Sequence, residues 1–150
     1  MTRSPQRNTI IENKVLMKII LVVEQEPLVR GLFNRLLERG YKVIETASAE
    51  GALDTARQYG KIDLLITDLA LPVISGIELG SLLKSWMPAL HVIVTADLLP
   101  ENWSDDEKAQ FAQLRARSMT VMKMPFSPDD LRARVVSLIG FPESVLNAAA

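Results

Sequence analysis

Short apolar runs alternate with amphipathic segments along most of this chain. The first run, Ile19–Val23, is entirely apolar and rich in β-branched residues, which is typical of a strand buried on both faces. Further strands are indicated at Lys42–Glu45, Asp63–Thr67, Leu90–Val94 and Met119–Lys123. The pattern therefore predicts five short strands, each followed by a segment with the spacing of a helix.

Helix-initiating residues stand in front of all five amphipathic segments: Pro27, Ser48, Ser75, Ser104 and Ser127. Glu78 and Glu107 follow their serines by three places, which predicts two capping boxes. The first helix is expected to end near Gly40 and to carry one broad apolar stripe: Leu28, Val29, Leu32, Phe33, Leu36 and Leu37. The third helix is expected to carry Ile77, Leu82, Leu83 and Trp86.

Five alternations of strand and helix predict one parallel sheet with helices on both faces. We expect a flavodoxin-like, doubly wound (βα)5 fold with strand order 2-1-3-4-5. The domain is expected to span residues 18–140, between an N-terminal tail (1–17) and a C-terminal tail (141–150). Within the first tail, Ile10–Leu16 is a candidate short helix. The chain is interpreted either as a stand-alone domain or as a piece of a larger protein.

Composition narrows the classes of function. The 17 basic and 18 acidic residues give a net charge of −1, so charge provides no argument for nucleic acid or an anionic membrane. The chain has no cysteine, which excludes disulfides and thiolate metal sites. Apolar runs of about five residues are far too short to span a bilayer. The cytoplasm is the expected location.

Polar side chains follow four of the predicted strands. Glu24 follows the first, Asp68 the third and Thr95 the fourth, while Lys123 lies at the end of the fifth. In the expected strand order, the first and third strands are neighbours, so Glu24 and Asp68 would share one edge of the sheet. Clustered carboxylates favour a cation, and oxygen ligands in an open pocket suit Mg²⁺.

The segments LVVEQEP, LLITDLALPVISG, VIVTA and KMPFSPDDL resemble the receiver domain of two-component response regulators, in the same order and spacing. The resemblance covers about residues 18–140 and implies that Asp68 accepts a phosphoryl group. It implies a Mg²⁺ site made by Glu24, Gln25, Asp68 and the backbone carbonyl of Ala70. It also implies that Thr95 supplies a switch hydroxyl.

The resemblance further implies the partners of the domain. A histidine kinase or a phosphotransfer protein would donate the phosphoryl group, and a downstream protein would bind through the region Ser104–Ile139. Formation of a homodimer is left open. No nucleic acid or membrane is expected to bind this domain, and no enzymatic activity is expected beyond phosphorylation and dephosphorylation of Asp68 itself.

Two positions depart from the family pattern. Gln25 replaces the second acid of the usual pair, which removes one charge from the metal site. The family lysine directly precedes Pro-Phe, whereas here Met124 does and Lys123 is displaced by one place. Because side chains alternate along a strand, Lys123 is expected to point away from the pocket unless a bulge redirects it.

We therefore keep two main hypotheses, a working receiver and a pseudo-receiver that binds proteins without phosphorylation. A small-molecule binding domain is a third.

Overall fold

A computed structural model describes residues 17–115 and 118–142. Strands and helices alternate along the chain in this order: β1 (Ile19–Val23), α1 (Pro27–Leu37), β2 (Lys42–Thr46), α2 (Ala49–Tyr59), β3 (Leu64–Asp68), α3 (Gly76–Trp86), β4 (His91–Ala96), α4 (Asp105–Leu114), β5 (Met119–Lys123) and α5 (Pro128–Ile139). A short 3-10 turn, Pro100–Asn102, precedes α4. The two predicted tails, including the candidate helix Ile10–Leu16, lie almost entirely outside the described residues.

The five strands form one parallel sheet in the order β2-β1-β3-β4-β5, which confirms the predicted fold class. Val23 at the end of β1 pairs with Thr67 in β3. Asp68, the last residue of β3, pairs with Thr95 in β4. The strand ends therefore lie side by side at one edge of the sheet, which we call the carboxyl edge.

Helices cover both faces of the sheet. Helices α1 and α5 pack on one face through fully or almost fully buried side chains: Phe33, Leu37, Leu131 and Val135. Helices α2, α3 and α4 pack on the other face, again through apolar side chains: Ala49, Ala52, Ala56, Ile77, Leu79, Leu83 and Leu114. Each buried leucine or phenylalanine contributes about 1.5–3 kcal/mol of transfer free energy, so these two layers hold the sheet in place. Across both described ranges, no helix is long and apolar enough to cross a membrane.

The helix ends follow the predicted caps with two differences, one at the start of α3 and one at the end of α1. Ser104 and Glu107 form a complete capping box. The Ser75 hydroxyl accepts a 3.1 Å hydrogen bond from the Glu78 N–H, and the box is left half formed. Helix α1 ends at Leu37, before Gly40.

The apolar stripes predicted for α1 and α3 are broader than the helix surfaces that pack against the sheet. On α1, Leu28 and Leu32 are 78% and 41% exposed. On α3, Leu82 and Trp86 are also exposed, because the sheet meets the side of the helix that carries Leu79. The spacing identifies the helices but does not fix their rotation on the sheet.

Candidate functional site

Asp68 lies at the carboxyl edge with its side chain half-buried. Its Oδ1 accepts a 3.4 Å hydrogen bond from the Ala70 N–H. Burial raises the pKa of Asp68 above its usual value of 3.8; the N–H groups of Ala70 and Leu69 oppose the rise, and the charge of Asp97 adds to it. Asp68 is therefore a carboxylate held in a position where its negative charge is poorly compensated.

Glu24 follows β1 and is 8% exposed. Its Oε1 accepts a 3.1 Å hydrogen bond from the Glu26 N–H. Burial raises the pKa of Glu24, the Glu26 N–H lowers it, and the charges of Asp68, Glu26 and Asp97 raise it further. Since Asp68 acts on Glu24 through its charge, the fold brings together the two acids that the strand order predicted to be neighbours.

Arg30 in the first turn of α1 braces the turn that carries Glu24. Its Nη1 donates to the Glu24 carbonyl at 2.9 Å, and its Nε lies 3.6 Å from Oε1 of Glu45. The guanidinium is thereby engaged with the backbone and with the neighbouring strand β2. It fixes the course of the chain after β1.

Asp97 contributes a third carboxylate at the same edge. Together with Asp68 it lines a cavity of about 250 Å³, whose other polar groups include Asn102 and Glu107. The charge of Asp97 raises the pKa of both Asp68 and Glu24. The cavity is thus acidic on the side of both β3 and β4.

Trp103 also lines this cavity. The side chain is 6% exposed, and its Nε1–H donates to the Leu98 carbonyl at 3.2 Å. The indole also meets the ring of Phe111 edge to face, with 5.6 Å between ring centroids. The segment between β4 and α4 is therefore anchored by an aromatic pair directly beside Asp68.

Thr95 is almost completely buried and pairs with Asp68 across β3 and β4. Its hydroxyl donates to the Thr67 carbonyl over 3.5 Å, which is a long and weak bond. The hydroxyl can turn to a better acceptor at little cost. Thr95 therefore lies where the sequence predicted it.

The remaining candidate metal ligands, at Gln25 and Ala70, are neutral oxygens. Gln25 is exposed, and Ala70 is exposed next to Asp68. Within residues 17–115 and 118–142, no three His, Cys, Asp or Glu side chains form a ready-made metal site. A cation at this edge would depend on two carboxylates supplemented by neutral oxygens, those of the Gln25 amide and the Ala70 carbonyl.

Lys123 stands apart from this group. Its pairing with Ala96 is regular, so β5 contains no bulge up to this residue. Its Nζ makes a 3.5 Å hydrogen bond to the adjacent Met124 carbonyl. Lys123 lines a different groove, which it shares with Asp130 and Arg134 of α5. The structure does not bring the Lys123 ammonium into the cavity beside Asp68.

Sequence reasoning missed Asp97 and Arg30. Asp97 was detectable as the acid directly after β4, two places after Thr95. Arg30 was detectable as a basic residue in the first turn of a helix, where the dipole disfavours it unless a partner is present. Asp97 lies in a loop, and Arg30 binds the backbone of another loop. Hydrophobic periodicity does not describe the geometry of either loop.

Comparisons with known proteins identify the family. The family model described as the response regulator receiver domain matches residues 20–136. The transcriptional regulatory protein KdpE of Mycobacterium tuberculosis is 32% identical over 120 residues, covering 79% of this chain and 50% of that protein. The two-component response regulator PhoP of Pseudomonas aeruginosa is 33% identical over 134 residues, covering 86% of this chain and 56% of that protein. The chain spans about half the length of these relatives.

A solved structure shares the fold. The chemotaxis protein CheY4 of Vibrio cholerae superimposes with a TM-score of 0.67 at 23% identity, covering 81% of this chain and 98% of that one. Receiver domains interact with histidine kinases or phosphotransfer proteins and generally bind Mg²⁺ at the phosphorylation site. The chain belongs to the response regulator receiver domain family of two-component signalling.

Proposed function

We propose that this receiver domain accepts a phosphoryl group on Asp68 from a histidine kinase or phosphotransfer protein and thereby changes its affinity for a downstream protein. The observation that carries this proposal is the convergence of Asp68, Glu24 and Asp97 at the carboxyl edge. Each of the first two has a raised pKa, and in both cases neighbouring carboxylates contribute. Such uncompensated charge is typical of a functional site.

The donor set fits a hard divalent cation, because all its members are oxygens. Glu24 and Asp68 would supply carboxylates, Gln25 an amide oxygen and Ala70 its carbonyl. When bound, Mg²⁺ offsets negative charge on the phosphoryl oxygens. The pKa of Glu24 is raised by burial and by the charges of Asp68, Glu26 and Asp97, so a cation at this edge would offset a repulsion that is otherwise uncompensated.

The chemical step needs Asp68 in its ionised form. A carboxylate oxygen of Asp68 forms a bond to phosphorus as the P–N bond of the donor phosphohistidine breaks, and the released imidazole takes up a proton. In the family's arrangement, the phosphoryl group then offers the Thr95 hydroxyl a stronger acceptor than the Thr67 carbonyl, which lies 3.5 Å away. Its rotation would couple the phosphoryl group to β4.

The downstream surface would be the region Ser104–Ile139, which contains α4, β5 and α5. A groove of about 450 Å³ runs along this region and is lined by Lys123, Asp130 and Arg134 among others. The domain would carry no reaction other than gain and loss of the phosphoryl group at Asp68, and it would act in the cytoplasm.

A second candidate is a pseudo-receiver that binds its partner without phosphorylation. Two observations favour it. Gln25 provides no charge at the metal site, and Lys123 lines the groove at α5 instead of the cavity beside Asp68. In this case the carboxylates would be inherited features of the fold without a role in signalling.

Beryllofluoride, which mimics a phosphoryl group on a carboxylate, separates the two candidates. The ¹H–¹⁵N spectrum of the protein is recorded with beryllofluoride, with and without Mg²⁺. We expect shifts for Glu24, Asp68, Thr95 and Trp103 that need both reagents and are absent in Asp68→Asn. A spectrum that stays unchanged at saturating Mg²⁺ would support the pseudo-receiver and remove the first candidate.

A further inference from the structure

A separate groove lies at the end of the domain opposite Asp68. Helices α1 and α5 run back from the carboxyl edge, so their last turns meet at the edge where the strands begin. The groove between these two ends has a volume of about 610 Å³. That size is within the usual range of ligand and side-chain pockets. No part of the phosphorylation site contributes to it.

The floor of this groove is apolar and held in place. It is formed by Leu36 and Tyr41 on the side of α1 and by Val136 and Pro142 on the side of α5. The Tyr41 hydroxyl donates a 2.6 Å hydrogen bond to the Gly140 carbonyl. Burial raises the pKa of Tyr41 to about 12, so the phenol stays neutral. The hydrogen bond fixes the aromatic ring as a wall between the two helix ends.

The rim of the groove is cationic. Arg35, Arg39 and Arg132 are exposed around it, and among the residues that the structure describes Glu38 is the only acid that lines it. Three guanidinium groups and one carboxylate give this rim a net charge of +2. The whole chain has a net charge of −1, so the positive charge is local.

These guanidinium groups are available to a ligand. Within the part of the chain that the structure describes, Arg35 and Arg39 form no hydrogen bond or ion pair through their side chains. Arg132 has one ion pair, at 3.5 Å to Asp129, in which both side chains are mostly exposed. Guanidinium groups recognise carboxylates with paired hydrogen bonds, and these groups keep most of their donors free for that purpose.

We propose that this groove, formed by the end of α1 with the residues after it and by residues 132–142 of α5 and its C-terminal end, binds an acidic peptide segment of a partner protein. A large apolar side chain of the segment would lie on Leu36 and Tyr41, and flanking carboxylates would pair with Arg35, Arg39 and Arg132. The combination of an apolar floor with a cationic rim fits such a segment better than a polyphosphate. A nucleic-acid backbone would leave the apolar floor of the groove without a partner, whereas the apolar side chain of a peptide would cover it.

The test uses the full chain and a fluorescein-labelled peptide of sequence EEDLFDEE, with two matched peptides. In QQNLFNQQ the acids become amides, and in EEDSSDEE the apolar pair is removed. We expect saturable binding of the first peptide only, weakened by added salt, with ¹H–¹⁵N shifts at Leu36, Tyr41 and Val136. Arg35→Gln combined with Arg132→Gln should weaken binding by about tenfold or more.

Arg134→Gln is the matched control, because Arg134 lies on α5 but lines the other groove. It should leave peptide binding unchanged, as should Asp68→Asn, which disables the proposed phosphorylation site. Equal binding of the amide peptide, no saturation, or shifts centred on Val121 would each overturn the assignment. Tighter binding of an oligo-dT strand or of phosphatidylglycerol vesicles than of the acidic peptide would overturn it as well.

Discussion

Gly76 packs so closely against the carbonyl oxygen of Asp68 that no β-carbon fits between them. The Gly76 N–H donates to the Leu69 carbonyl at 2.9 Å, which draws the start of α3 onto the end of β3. The Ser75 hydroxyl caps the same helix. The first turn of α3 therefore sets the position of the backbone that carries Asp68.

Gly76→Ala tests this relationship. The added methyl group would meet backbone atoms that cannot move freely, so we expect a loss of about 1–3 kcal/mol in the free energy of unfolding. Gly31→Ala in α1 is the control, because a β-carbon at Gly31 meets no atom within 4 Å. It should gain about 0.5–1 kcal/mol from better helix propensity. Equal stability of the two variants in urea denaturation would contradict the proposed close packing.

The carboxylates at the site should make stability depend on pH. The pKa of Asp68 is raised in the folded state, by burial first, so between the unfolded and folded pKa values the folded protein binds more protons. The contribution of this group is favourable at low pH and is lost as pH rises through the folded pKa. Asp68→Asn should therefore be more stable than the parent at neutral pH when no metal is added.

The gain in stability of Asp68→Asn over the parent should disappear well below pH 3.8, where Asp68 is protonated in both the folded and the unfolded state. Urea denaturation of both proteins across this pH range provides the measurement. Asp54→Asn is a suitable control, since Asp54 lies at the surface and pairs with Arg57 at 3.2 Å. A gain of the same size in that variant would show that general surface charge, and not the site, is responsible.

Gln25 is expected to limit the affinity for Mg²⁺. Two unit charges about 4 Å apart interact by roughly 4 kcal/mol at an effective dielectric constant near 20, and relaxation of water reduces this figure. Gln25→Asp should therefore tighten Mg²⁺ binding by about tenfold or more.

Trp103 provides the signal for this titration, because it lines the cavity beside Asp68. The sequence contains two tryptophans, so Trp86→Phe leaves Trp103 as the sole tryptophan, which can be excited selectively at wavelengths too long for tyrosine to absorb. Gln58→Asp, at the far end of α2, adds the same charge away from the site and should leave the affinity unchanged. An unaltered Mg²⁺ titration in Gln25→Asp would show that position 25 does not contact the metal.

Substitutions at Lys123 and at Met124 are expected to have different effects on the phosphorylation of Asp68. Lys123→Ala should leave the rate of Asp68 phosphorylation unchanged, because the ammonium lies in the groove at α5. Met124→Lys moves the charge to the other face of the chain by strand alternation and should increase the rate or the lifetime of the phosphoryl group. Time courses with acetyl phosphate measure both. A marked loss in Lys123→Ala would mean that Lys123 reaches the site in solution.

The central strands β1, β3 and β4 are predictable from sequence because each is largely buried and is recorded as an apolar, β-branched run. The edge strands β2 and β5 are less buried and less apolar. The rotation of a helix is less predictable. Leu28 and Phe33 belong to the same apolar stripe of α1, yet they are 78% and 2% exposed, because packing on the sheet selects only part of the stripe. The hydrophobic pattern identifies the helices and strands, and the contacts in the folded protein decide which side of each helix is buried.

The candidate site divides in the same way. Glu24, Asp68 and Thr95 could be placed from sequence, since parallel strands end at one edge and the strand order makes them neighbours. The acid of Asp97 is visible in the sequence directly after β4, but its position beside Asp68 is not predictable, because it lies in a segment anchored by the buried Trp103. The sequence predicts Ser75 as the cap of α3, but the contact of Gly76 with the Asp68 carbonyl appears only in three dimensions.

The most direct test of the account is the intact mass of the protein after incubation with acetyl phosphate and Mg²⁺. We predict an adduct of one phosphoryl group that requires Mg²⁺ and is absent in Asp68→Asn. Glu24→Gln should reduce the adduct, since it removes one of the two carboxylates proposed to hold the metal. An unmodified mass in the parent protein at saturating Mg²⁺, or an adduct that persists in Asp68→Asn, would contradict the assignment of Asp68 as the phosphoacceptor.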